Sequence, residues 1–262
     1  MKIKCANSKW LVLPAVALTL FVCHPQARGA TMFSDANDGF LEVRDNLPPQ
    51  SPWPQIHGDT FGSWRAGVGE WYGPGLTTIV LPFGLPDLGA VSNPFLSANF
   101  GVQVFQIGSA TVTDIDLYAV RVSPNPAIAT TDWYNGAAFD PNATLIQGSF
   151  LTPTSPGGSG GSGSPNNFTD ATGDANLLGF LNTAYADGAG AGKFVFLRLS
   201  YGSDTFASGW DAYNITVREA GGQGEWPVIT YTSVPEPGAA ALVALGSALL
   251  LGYRSRRNAA RA

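Results

Sequence analysis

Laid out as an extended strand, residues 193–201 place Phe194, Phe196, Arg198 and Ser200 on one side and Val195, Leu197, Leu199 and Tyr201 on the other. A strand that is apolar on both sides for most of its length has to lie inside stacked layers, because a water-facing side would alternate with polar residues. Residues 40–44, 76–81, 100–107, 111–122, 144–150, 213–218 and 228–232 share this short apolar character. Thirty-two glycines and nineteen prolines punctuate the chain, which supplies turns and denies long helices their continuity. One helix is expected over about 174–186, where Leu177, Leu178, Leu181 and Tyr185 recur at helical spacing. The expected fold class is therefore all-β: a single antiparallel β-sandwich, jelly-roll-like, with one short helix. Residues 155–165 are almost wholly Gly, Ser and Pro and cannot build a core. They read as an insertion loop rather than a domain divider, because only three expected strands follow them, too few for a second core.

The two ends read differently from this body. Lys2, Lys4 and Lys9 precede an uncharged apolar run, 10–22, and small residues follow at Ala27, Gly29 and Ala30. That is the three-part layout of a secretory signal peptide over 1–29, with cleavage expected after Gly29. Cys23 follows Val22, whereas a lipoprotein cysteine follows a small residue, so lipid attachment is the lesser alternative. Both cysteines, Cys5 and Cys23, fall in the removed segment. The mature chain is expected to carry no disulfide, no cysteine-bound metal and no cysteine nucleophile.

Eight of the fourteen basic residues sit in the two ends, leaving six basic against eighteen acidic side chains over 30–233, a net of about −12. Such a body repels phosphate backbones, so nucleic acid is not expected as a partner.

At the other end, Val234, Pro235, Glu236 and Pro237 lead into a stretch without charge, 237–253, followed by Arg254, Arg256 and Arg257. Seventeen uncharged residues lie at the short limit of about 17–25 for a membrane-spanning helix, and the arginines would stay on the cytoplasmic side. Motif, apolar helix, arginine cluster and terminal position together resemble the PEP-CTERM sorting signal over 234–262. The resemblance implies an exosortase substrate: exported by the secretion machinery, held transiently in the inner membrane by the C-terminal helix, cut near Pro235-Glu236-Pro237, and passed to the cell envelope or the extracellular space. It also implies a host that makes exopolysaccharide, with a role in biofilm.

A second, looser resemblance covers about 33–232. Tyr213, Asn214, Ile215, Thr216, Val217, Arg218, Glu219 and Ala220, then Trp226, Pro227, Val228, Ile229, Thr230 and Tyr231, give a strand ending in Arg-Glu, a Gly-rich turn and a Pro-led last strand. This is similar to the DNRLRE-type β-sandwich of secreted and surface proteins, with 111–122, Asp132-Trp133 and the helix before 193–201 in similar order. Only the fold is carried over.

No catalytic residue is expected. His57 is the one histidine beyond the signal, and its neighbour Asp59 comes with no nucleophile motif and no zinc-ligand partner. Carboxylates are plentiful enough to admit a glycosidase pair, but Asp is a common turn residue. Two clusters offer oxygens at alternate spacing for calcium, the only cofactor the pattern admits: Asp35, Asn37 and Asp38, and Asp170, Thr172 and Asp174. Trp53, Trp64, Trp71, Trp133 and Trp210 lie among Gly, Pro and Asn and are candidates for stacking on sugar faces, or for capping the core. Asn142, Asn167 and Asn214 head Asn-x-Thr triplets and read as ordinary turn and strand residues. The expected function is a structural or adhesive envelope protein. A carbohydrate-binding module on exopolysaccharide is the alternative, and a polysaccharide hydrolase or lyase a third.

Overall fold

The computed structural model describes residues 28–44, 55–58, 65–70, 75–89, 91–107, 114–132, 143–157, 164–186, 190–201, 212–218, 223–234 and 246–247. In chain order the strands are β1 (Arg28–Phe33), β2 (Gly39–Arg44), β3 (Gln55–Gly58), β4 (Arg65–Glu70), β5 (Gly75–Gly84), β6 (Phe95–Val102), β7 (Val104–Ile107), β8 (Ile115–Ser123), β9 (Thr144–Leu151), β10 (Asn167–Phe168), β11 (Phe194–Tyr201), β12 (Ala212–Thr216) and β13 (Val228–Ser233). A 3-10 turn, Thr130–Asp132, follows β8, and one helix, α1 (Ala171–Ala184), precedes β11. The described residues are otherwise mostly β-sheet, and every strand pairing among them is antiparallel.

Four strands form one sheet in the order β1-β13-β6-β10, and nine form the other in the order β7-β12-β4-β5-β11-β8-β9 with β2 and β3 attached at β5. β5 is the branch point. Its Ile79 and Val80 pair with both β2 and β11, so those two strands lie on opposite edges, and β4 holds Leu76 and Thr77. β11 lies between β5 and β8, and Val195 to Tyr201 are all buried. Because β5 and β8 precede the Gly/Ser-rich segment and β11 follows it, strands from its two sides share one sheet.

The inward faces of both sheets enter one apolar core. Phe100 of β6 meets Phe83 of β5 edge to face at 6.0 Å and Phe150 of β9 at 5.4 Å. Burying a side chain of this size contributes about 1.5–3 kcal/mol. The core spans the two sheets, so neither is stable as a free layer.

The sequence reading takes 100–107 as one strand, but the chain changes sheets at Gln103: β6 belongs to the four-stranded sheet and β7 to the nine-stranded one. The Gln103 carbonyl accepts from the Thr216 amide across this corner. The helix also begins earlier than expected, at Ala171, because Asp170 caps it by accepting from the Thr172 and Gly173 amides at 2.9 Å. β1, β3, β4 and β10 were not among the expected strands.

α1 closes the seam where the sheets part, lying against β6 and β9. Leu177, Leu181 and Tyr185 point into the core. Its polar side chains satisfy strand-edge groups: Asn182 accepts from the Phe95 amide at 3.0 Å and donates to the Phe95 carbonyl at 3.1 Å, and Asn176 donates to the Ile146 carbonyl at 2.9 Å. Asn166 makes the same two-way clamp on Val104. These amides take the place of a neighbouring strand along the free edge of β6 and β7.

β1 starts at Arg28, so a cut after Gly29 would fall inside a paired strand and leave Ala30 as the first residue of the ladder to Tyr231. No helix among the described residues is long and apolar enough to cross a membrane. Of the tail, only Val234, Gly246 and Ser247 are described, so Pro235, Glu236, Pro237, Arg254, Arg256 and Arg257 lie outside the described residues.

Candidate functional site

The outward face of the four-stranded sheet carries an open groove among the described residues. Strand alternation turns Met32, Ile229, Tyr231, Ala98 and Phe100 into the core and sends their neighbours out. Register then aligns three rows across the sheet. Gly29, Thr232 and Ser97 form the first, Thr31, Thr230 and Asn99 the second, and Phe33, Val228 and Gly101 the third. The first two rows are short hydroxyl and amide side chains, and the third is apolar.

Rows one and two line an open groove of about 440 Å³, together with Asp174. Ser97 Oγ and Thr232 Oγ1 are hydrogen-bonded at 2.7 Å. The Asn99 Nδ2 donates to the Thr169 carbonyl and hydroxyl and to Asp174 Oδ1 at 2.8 Å. Thr169 also donates to Asp174 Oδ1 at 2.5 Å. The amide is thereby oriented, with Oδ1 of Asn99 as the atom this network does not use. Among the described residues, Asp174 is the sole carboxylate of the lining, and no lysine or arginine belongs to it.

At the third row the Phe168 ring lies against Gly101, so close that a Cβ on Gly101 would sit 2.6 Å from the ring. Glycine is needed there because the ring occupies the space of a side chain. Phe168 remains 50% exposed, an aromatic surface about 7 Å along β6 from Asn99. On the opposite edge Phe33 meets Trp226 edge to face at 5.7 Å, and the Arg218 guanidinium lies 5.0 Å from the Trp226 ring.

The carboxylates considered for calcium are held by protein donors. Asp35 Oδ1 accepts from the amide and side chain of Asn37, and the Arg218 guanidinium approaches Asp35 to 3.9 Å. Asp38 is buried and its Oδ2 accepts from the Ser34 hydroxyl at 2.6 Å and the Arg218 amide at 3.1 Å. Asp170 caps α1, and Asp174 serves Asn99 and Thr169 as above. Among the described residues no group of three His, Cys, Asp or Glu side chains is placed to hold a metal ion.

Trp53, Trp64, Trp71, Trp133 and Trp210 lie outside the described residues, as does Asp59; His57 falls in β3, paired with Phe40. The structure instead brings Phe168, Phe33 and Trp226 to one sheet face, a grouping that needs the strand register and is invisible in linear order.

On the other sheet's outer side a polar cluster pins the segment after β8. Asp132 is fully buried and accepts from Arg121 Nε at 2.6 Å and Nη2 at 2.8 Å and from the Ala129 amide. Arg121 stacks 3.6 Å over the Phe196 ring, and buried Arg198 donates to the Asp132 carbonyl. This cluster lies over the buried Val80, Val120 and Phe196. Three buried phenols are pushed above the ordinary tyrosine value. Burial dominates for all three, with Tyr231 and Asp87 adding at Tyr185, and Asp114 and Tyr201 at Tyr213. They stay protonated near neutrality and serve packing.

No family model matches the chain, and no curated protein matches it.

Proposed function

We propose that the chain is an exported envelope or matrix protein: a signal peptide over 1–29, a single jelly-roll-like β-sandwich over 30–233, and a sorting tail over 234–262 with a membrane helix at about 237–253, cut by an exosortase-type enzyme. Its role in this reading is structural or adhesive, linked to exopolysaccharide or biofilm.

The observation that supports the reading is the position of the last described strand. Ser233 is the last residue of β13 and pairs with Arg28, and the Val234 amide makes the next hydrogen bond, to the Pro94 carbonyl at 2.8 Å. Pro235 follows at once and has no N–H to continue a ladder. The last described strand thus lies directly before the Val-Pro-Glu-Pro motif. Arg28 and Ser233 are paired at one end of the sheet, which suits a body whose two ends are both processed at one membrane.

An enzyme reading receives less support. Glycoside hydrolysis uses two carboxylates flanking the bond, and the groove carries one. Deleting 234–262 tests the sorting reading: the truncated chain should fractionate as soluble exported protein, and continued membrane retention contradicts the anchor. Neutralising Arg254, Arg256 and Arg257 should impair sorting and leave the circular dichroism of the body unchanged.

A further inference from the structure

We infer that the outward face of the four-stranded sheet binds a neutral polyhydroxylated chain, a glycan without carboxylate or sulfate groups, through the groove of Thr31, Thr230, Thr232, Ser97 and Asn99 and the ring of Phe168. This gives the proposed envelope protein a ligand class, and it stands or falls independently of the sorting tail.

Three observations converge on that chemistry. First, the groove sets the hydroxyl and amide groups of Thr31, Thr230, Thr232, Ser97 and Asn99, in register on three strands, among the apolar surface of Ala30, Ala98 and Tyr231. Such groups exchange hydrogen bonds with sugar hydroxyls at little entropic cost, because Thr, Ser and Asn have few rotamers to fix. Second, Phe168 offers a half-exposed ring next to this polar surface. A pyranose has an apolar C–H face and a polar rim, so a ring beside hydroxyls and an amide matches both. Third, charge selects against the alternatives. Among the described residues the groove contains one carboxylate and no cation, and the body over 30–233 is strongly acidic. Acidic polysaccharides and phosphate-bearing polymers would be repelled. The volume of about 440 Å³ falls within the usual range of small-ligand sites, about 300–1,000 Å³. An open groove rather than a pit suits a polymer that runs through, and the polar first two rows make a poor dimer core.

The test is affinity electrophoresis of the full-length chain in gels cast with hydroxyethylcellulose, dextran or galactomannan, and with polygalacturonate as the acidic comparison. At least one neutral polymer should retard the protein, equally at low and high salt, and polygalacturonate should not. Phe168→Ala should weaken the association about tenfold, equivalent to about 1.4 kcal/mol. Thr230→Lys and Ser97→Lys, both at exposed positions, should weaken it by a similar factor with thermal melts close to wild type. Leu145→Ala, exposed on β9 of the other sheet, should bind as wild type. Absence of retardation by all three neutral polymers, equal binding by the Phe168, Thr230 and Ser97 variants, or stronger binding to polygalacturonate overturns the inference. So does concentration-dependent self-association through these residues without glycan binding.

Discussion

Replacing Asn182 by leucine keeps the number and branching of side-chain heavy atoms and improves helix propensity by about 0.4 kcal/mol, while removing both hydrogen bonds that its amide makes to Phe95. Phe95 is 2% exposed, and its N–H and C=O face α1 rather than another strand, so water cannot readily replace the lost partners. An orphaned buried backbone group costs about 1–3 kcal/mol. One of the two can regain a partner by relaxation of α1, which leaves one orphaned group and puts the expected loss at about 1–3 kcal/mol. For a body of this size that corresponds to about 2–4 °C of melting temperature per kcal/mol. Urea unfolding followed by tryptophan fluorescence measures it, with an unchanged m-value as the sign that two-state unfolding persists. Hydrogen exchange adds a local readout, because the Phe95 amide should lose protection while the Tyr231 amide on β13 keeps it. The control is Thr183→Val, which removes only an exposed intrahelical bond to the Gly179 carbonyl and should stay within about 0.5 kcal/mol. A loss below about 1 kcal/mol for Asn182→Leu, or an unchanged Phe95 exchange rate, would refute the argument that side-chain amides substitute for a missing strand.

Asp132→Ala should cost about 3–5 kcal/mol, because it strips a buried partner from Arg121 and the Ala129 amide; Arg121→Met in the same background should recover part of it, and chemical denaturation of the two variants measures both. Alkaline stability should fall from about pH 10 upward. Tyr185, Tyr213 and Tyr231 hold their protons more tightly folded than unfolded, so their contribution is complete below the unfolded value and is lost as pH rises beyond it. A stability profile flat from pH 9 to 12 would contradict this. Gly190→Ala should destabilise strongly, since a Cβ would stand within 2.5 Å of the Tyr185 ring, which is fully buried and bonded through its hydroxyl to the Pro86 carbonyl. A melting temperature within 2 °C of wild type would show that the ring can move.

Strands with dense apolar content were legible in the sequence because their burial is written in composition. β5, β9, β11 and β13 all fall within a few residues of the expected runs, and the two-sided burial of β11 followed from its alternation. Strands whose positions are set by partners were not legible. β1, β3 and β4 are rich in Gly and polar residues, and they exist because β13, β2, β5 and β12 offer them edges. The sheet change at Gln103 leaves no trace in hydropathy, because both halves of 100–107 are apolar. The helix start was displaced by three residues because apolar periodicity begins at Leu177, whereas Asp170 fixes the first turn by hydrogen bonding. The candidate surface was legible only in fragments. Thr230 and Thr232 could be read as one face of β13, but their alignment with Thr31, Ser97 and Asn99, and the seating of Phe168 on Gly101, depend on register between segments far apart in sequence.

The central claim is that this chain is a body made for export, finished at both ends by cleavage. Terminal peptide mapping by mass spectrometry of the protein recovered from an exosortase-bearing host tests it most directly. The account predicts a mature chain that begins at Ala30 and ends between Val234 and Pro237, with the β1–β13 ladder retained from the Ala30–Tyr231 pair to the Phe33–Val228 pair. Recovery of the protein with 1–29 or 238–262 still attached, outside the membrane fraction, would contradict it.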